Sequence, residues 1–145
     1  MRTGAILLAL PLLVLAGEAA AQFRSVAEPA VAYDAPSERG KKLFVLSRGY
    51  PVDAVVALEG WVRVRDPAGE LAWLPAKALS DRRTVVVTAA AAMVRERPEE
   101  DAPVIFQAAN GVILDYAEPG APGWIRIRHR DGQAGFVRIS QVWGG

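Results

Sequence analysis

Two five-residue runs, WVRVR at 61–65 and WIRIR at 124–128, alternate apolar and polar side chains with a period of two. That period predicts strands with Val62, Val64, Ile125 and Ile127 on a buried face. Trp61, Arg63, Arg65, Trp124, Arg126 and Arg128 then share the opposite face, open to solvent or a partner. Strand-like stretches flank both runs. In the first half they are Ala30–Tyr33, Lys42–Leu46, Val52–Ala57, Trp61–Arg65 and Glu70–Leu74, broken at Pro36, Gly40, Gly49, Gly60 and Gly69. In the second they are Ala92–Arg95, Val104–Gln107, Val112–Tyr116, Trp124–Arg128 and Gln133–Val137. Alternation places Leu74 and Val137 in the core and turns Trp73 and Phe136 outward.

The two halves are copies of one pattern. Residues 61–79 and 124–142 align without a gap at an offset of 63, with identity at Trp61/Trp124, Arg63/Arg126, Arg65/Arg128 and Gly69/Gly132. Upstream the offset is 62, matching Pro36 with Pro98, Phe44 with Phe106, Gly49 with Gly111 and Asp53 with Asp115. A loop between VVALEG and AEPGAPG absorbs the difference. A repeat of about 60 residues is the size of a small domain. Asp131-Gly132 supplies a hairpin turn, and Asp66-Pro67-Ala68-Gly69 a longer one in the same place. The expectation is an all-β chain of two tandem five-stranded barrels, each closed by a single 3₁₀ turn at LPAKAL or VRISQV.

The start of the chain has a different character. A basic Arg2, the apolar run AILLALPLLVLA and small residues at Ala19 and Ala21 predict a signal peptide over 1–21, cleaved between Ala21 and Gln22. The run is broken by Pro11 and short for a bilayer of roughly 30 Å, and nothing after Ala21 is apolar enough for a stable membrane span. The mature chain is therefore expected in a bacterial periplasm, with domains at 22–83 and 84–145 joined by the strand-like stretch Thr84–Thr88.

Composition narrows the chemistry. With 17 basic and 16 acidic residues the net charge is +1, which gives no general attraction to nucleic acid or anionic lipid. Cysteine is absent, so no disulfide supports the fold and no thiol nucleophile exists. Packing one copy against the other would help both, since each alone is marginal in size. The single histidine, His129, falls in a hairpin turn, and no serine lies in a nucleophile-elbow context. Glu99-Glu100-Asp101 clusters carboxylates that either coordinate a hard cation weakly or form a solvated loop. The chain reads as a non-enzyme without a cofactor.

Both copies carry one set of turn and strand motifs. The second carries Val94-Arg95-Glu96-Arg97-Pro98, Gly111, Gly123-Trp124-Ile125-Arg126-Ile127, Asp131-Gly132 and Gly135-Phe136-Val137. The first is looser, with Ala32-Tyr33-Asp34-Ala35-Pro36 and with Ala72 where Gly135 stands, but keeps Gly60-Trp61-Val62-Arg63-Val64 and Trp73-Leu74. On these residues each copy resembles a bacterial SH3-like (SH3b) domain, and the tandem arrangement resembles small exported bacterial proteins of undefined activity. The resemblance implies recognition of a peptidoglycan stem peptide or an envelope protein. Lys77 and Ser140 stand where proline-peptide readers of this fold carry a tyrosine, which argues against that ligand in its usual mode. Candidate binding residues are Trp61, Arg63, Arg65, Trp73, Trp124, Arg126 and Arg128, an aromatic beside two guanidiniums in each copy. Two such sites at fixed spacing would add avidity. The bland reading of the same residues, which is favoured, makes each Trp the cover of its barrel rim with the arginines paired to Asp66, Glu70 or Asp131, and the exposed aromatics Trp73 and Phe136 offer an interface between barrels. The alternative role is that of a structural or inhibitory partner of one envelope enzyme, with no affinity for the wall.

Overall fold

A computed structural model describes Gly4 and residues 21–145; the signal peptide expected over 1–21 lies, apart from Gly4 and Ala21, outside the described residues. Strands β1 (Phe23–Val26), β2 (Ala30–Tyr33), β3 (Lys42–Leu46), β4 (Pro51–Leu58), β5 (Trp61–Arg65), β6 (Leu71–Pro75) and β7 (Leu79–Ser80) form one antiparallel sheet in the order β3-β2-β6-β5-β4-β1-β7. Strands β8 (Thr84–Val87), β9 (Ala91–Arg95), β10 (Val104–Ala109), β11 (Ile113–Pro119), β12 (Trp124–Arg128), β13 (Ala134–Arg138) and β14 (Val142–Trp143) repeat that order in a second. No helix among the described residues is long and apolar enough to cross a membrane.

The expected all-β tandem is present, and the strand count is corrected from five to seven per copy. The additions are the opening strands β1 and β8 and the two-residue closing strands β7 and β14. Thr84–Val87, expected as a linker, is the first strand of the second sheet and pairs with both β11 and β14. The predicted 3₁₀ turns lie at Ala76–Ala78 and Ile139–Gln141, between the last hairpin strand and the closing strand.

Each sheet wraps its own core. Val62, Val64 and Leu74 meet Val26, Val52 and Leu79 in the first; Ile125, Ile127 and Val137 meet Val85, Val87 and Leu114 in the second. Each such side chain contributes about 1.5–3 kcal/mol by leaving water. A register shift between Ala54 and Val56, repeated between Tyr116 and Glu118, bends β4 and β11 halfway along. That bend lets one long strand pair with β5 at its tip and with β1 at its base.

The copies meet along β8, all four of whose residues are buried. Val85 and Val87 enter the second core, and the opposite face meets the first copy, where the Thr84 hydroxyl donates to the Gly49 carbonyl at 2.6 Å. The seam uses aromatics other than the expected Trp73 and Phe136. Phe23 stands edge-on to Trp143 at 5.1 Å, and the Arg83 guanidinium lies between the rings of Phe23 and Tyr116, at 5.5 and 4.7 Å. Arg83 also donates to the Gly144 carbonyl at 3.2 Å. These residues bracket the repeat at its ends, a position that period-two alternation does not single out.

Candidate functional sites: two unequal grooves and a cleft between the barrels

The central hairpins place Trp61, Arg63 and Arg65 on one side of β5, as alternation requires, and their cross-strand neighbours differ between copies. Arg63 sits opposite Val56 and Trp73, whereas Arg126 sits opposite Glu118 and Phe136 and forms an ion pair with Glu118 at 3.2 Å. Arg65 pairs with Asp53 at 3.6 Å rather than with Asp66 or Glu70. Arg128 pairs with none of Asp66, Glu70 or Asp131 and remains exposed. Trp61 and Trp73 are partly exposed. Trp124 corrects the expectation of an outward face: it is 5 % exposed, because the Arg138 guanidinium lies over its ring at 4.6 Å. Glu100 accepts from Arg138 and fixes it there.

The difference between the copies follows from register. Trp61 pairs with Pro75 where Trp124 pairs with Arg138, and Tyr33 pairs with Trp73 where Arg95 pairs with Phe136. In the first copy Tyr33 packs edge-on against Trp61 at 5.7 Å and lines an open groove of about 360 Å³ with Pro29, Val31, Pro75, Lys77 and Glu28. The matching groove of the second copy is about 180 Å³ and is lined by Arg95, Glu100, Trp124 and Arg138. Pro75 leaves the space that Arg138 fills. Tyr33 and Pro75 are absent from the arginine-and-tryptophan pattern of the hairpins; comparing them with Arg95 and Arg138 across the repeat is the signal that exposes them.

A third concavity lies between the barrels, about 410 Å³ in volume. The β3–β4 turn brings Arg48 and Gly49 to it, the connection brings Arg82, and the second copy contributes Gly111, Asp115, His129 and Arg130. His129, expected to stand clear of any cleft, therefore lines one. Its ring lies against Phe106 at 5.8 Å and its Nδ1 is 3.0 Å from Asp131. The Gln133 backbone N–H, donating to Asp131, holds that carboxyl below the usual carboxylate range, helped by His129. Away from the cleft, burial pushes the Tyr50 phenol up, and the Asp66 charge adds to it. Among the described residues no group of three or more His, Asp or Glu is placed to hold a metal ion. Glu99 and Glu100 are instead paired with Arg97 and Arg138.

The family model described as a bacterial SH3 domain matches the chain twice, over residues 26–81 and 88–144. The chain belongs to the bacterial SH3 domain family. The first match begins at the last residue of β1 and the second just after β8, and each runs through its copy's closing strand. No curated protein matches the chain. Among solved structures, NlpC2 and NlpC1 from Trichomonas vaginalis match at 15 and 14 % identity with TM-scores of 0.40 and 0.41. These matches cover 85 and 87 % of this chain and 48 and 46 % of theirs. An NlpC/P60 family protein from Bacillus cereus matches at 16 % identity and a TM-score of 0.38, over 83 % of this chain and 55 % of that one. This tandem SH3 protein thus spans about half the length of those structures.

Proposed function

We propose that this protein is a non-enzymatic, exported binding module of the periplasm, whose first SH3 copy holds an extended cell-wall stem peptide in the Tyr33–Pro75 groove. The observation that supports it most is the inequality of the two grooves: aromatic and open in the first copy, covered by Arg138 in the second. Tyr33, packed edge-on to Trp61, offers apolar ring surface in the groove, and Lys77 gives it a cation for a peptide carboxylate, while Glu28 is held by Arg48. Arg63, Arg65 and Trp73 extend this surface along the hairpin. Trp124, Arg126 and Arg128 belong to the second barrel's wall in this reading, so binding runs through one copy rather than through two equal sites.

The test is co-sedimentation of the mature chain, from Gln22 onward, with purified peptidoglycan sacculi across a salt series. The expected result is saturable binding that weakens with salt and falls about tenfold or more in Tyr33→Ala, while Arg95→Ala at the matching position leaves it unchanged. Absence of binding at low salt would overturn the reading. The second reading, a partner of one envelope enzyme without wall affinity, would then stand. It is favoured by the tip of β4, where Val55, Val56 and Leu58 are exposed and the second copy carries Ala117, Glu118 and Gly120.

A further inference from the structure

The cleft between the barrels gathers cations in a protein whose overall charge is nearly balanced. Arg48 comes from the first copy, Arg82 from the connection and Arg130 from the distal hairpin of the second, with His129 beside it. Asp115 is the one carboxylate among the lining residues, and Arg82 occupies both its oxygens at 2.6 Å. Arg48 is held in place from behind, through its Nε to the Ala27 carbonyl at 3.1 Å and one Nη to Glu28 at 2.8 Å. Arg130 forms no ion pair among the described residues. Arg82 and Arg48 thus already have carboxylate partners, and Arg130 is the guanidinium left to take an incoming anion at a rim where the cations outnumber the one lining carboxylate.

The floor of the cleft is suited to close approach. Gly49 and Gly111 occupy equivalent turns of the two copies, with φ of 81° and 84°, and neither position puts a Cβ into the space. A volume near 410 Å³ lies within the range of small-ligand sites, about 300–1,000 Å³. We propose that this cleft is a carboxylate-binding site for a small acidic peptide, with Arg130 and Arg48 gripping carboxylates from the two barrels and Arg82 set by Asp115 at its base. Planar guanidiniums match a carboxylate through paired N–H donors, which a single ammonium does not. The Tyr33 groove shares no lining residue with this cleft, and the Glu28–Arg48 ion pair is the link between them, so Arg130→Gln, away from that pair, tests the cleft separately from Tyr33→Ala in the groove.

The test uses the mature protein, with N-acetyl-glutamyl-alanine as the probe, its bis-amide as the uncharged control and inorganic phosphate as the competing anion. Backbone amide shifts are followed by NMR. The dipeptide should give saturable shifts at Gly49, Gly111 and His129, the bis-amide none, and Arg130→Gln should weaken the dipeptide about tenfold. Arg130→Gln should also melt no lower than the wild type when ligand is absent, because it removes no ion pair; a purely structural Arg130 would melt lower. Shifts elsewhere only, or binding unchanged in both Arg130→Gln and Arg48→Gln, would overturn the site. Phosphate binding as tight as the dipeptide would overturn the carboxylate assignment.

Discussion

Gly135 shows what one missing methyl group does here. A Cβ at this position would stand 2.7 Å from the Arg95 carbonyl oxygen and 2.7 Å from a Val94 methyl, where β13 crosses onto β9. The first copy places Ala72 at the matching point and keeps it buried, so its strands have the extra room. Gly135→Ala is expected to destabilise by about 1–3 kcal/mol, read as a lower denaturant midpoint. Arg138 makes a second residue-scale contrast. Removing its guanidinium in Arg138→Ala uncovers Trp124, so the Trp124 indole N–H should exchange faster with solvent while the Trp61 indole is unchanged. An unchanged Trp124 would mean that something other than Arg138 shields it.

Among elements, the hairpins were the most legible. WVRVR and WIRIR fixed their strands to the residue, and Val62, Val64, Ile125 and Ile127 all lie in the cores. The 3₁₀ turns were legible because six residues between a strand and its end cannot hold an α-helix. The opening strand β1 was not, because FRSV puts Arg24 and Ser25 mid-strand and Ser25 is buried without an apolar side chain to announce it. TVVV lacked alternation because it is buried on both faces, one by its own core and one by the neighbouring copy. The candidate site was half legible for a related reason. Period two tells which way Trp124 leaves its strand, but Arg138, which covers it, comes from the next strand.

At the scale of the whole molecule, two small barrels without a disulfide lean on their seam. Arg83 stacked between Phe23 and Tyr116 ties the first strand of one copy to the second copy. Arg83→Ala is expected to lower the melting temperature by several degrees, from a loss of about 1–3 kcal/mol, and to separate the copies into two calorimetric transitions. Alkali probes the first copy through Tyr50. Tyr50 ionises less readily when folded, so the unfolded chain releases its proton first and stability falls as pH rises from about 10 through the raised folded value. Tyr50→Phe should flatten that decline in a series of melts, and an equally steep decline would assign it to other groups. The central claim is that the two copies share a fold but not a function, the open groove of the first being the binding one. Titrating the mature protein with soluble muropeptides from digested sacculi, with amide shifts mapped by NMR, tests it most directly. Saturable shifts at Val31, Tyr33, Trp61, Lys77 and Ala78, with Met93, Arg95, Trp124 and Arg138 unmoved, are the predicted result; shifts of equal size in both copies, or centred on Trp124, would contradict it.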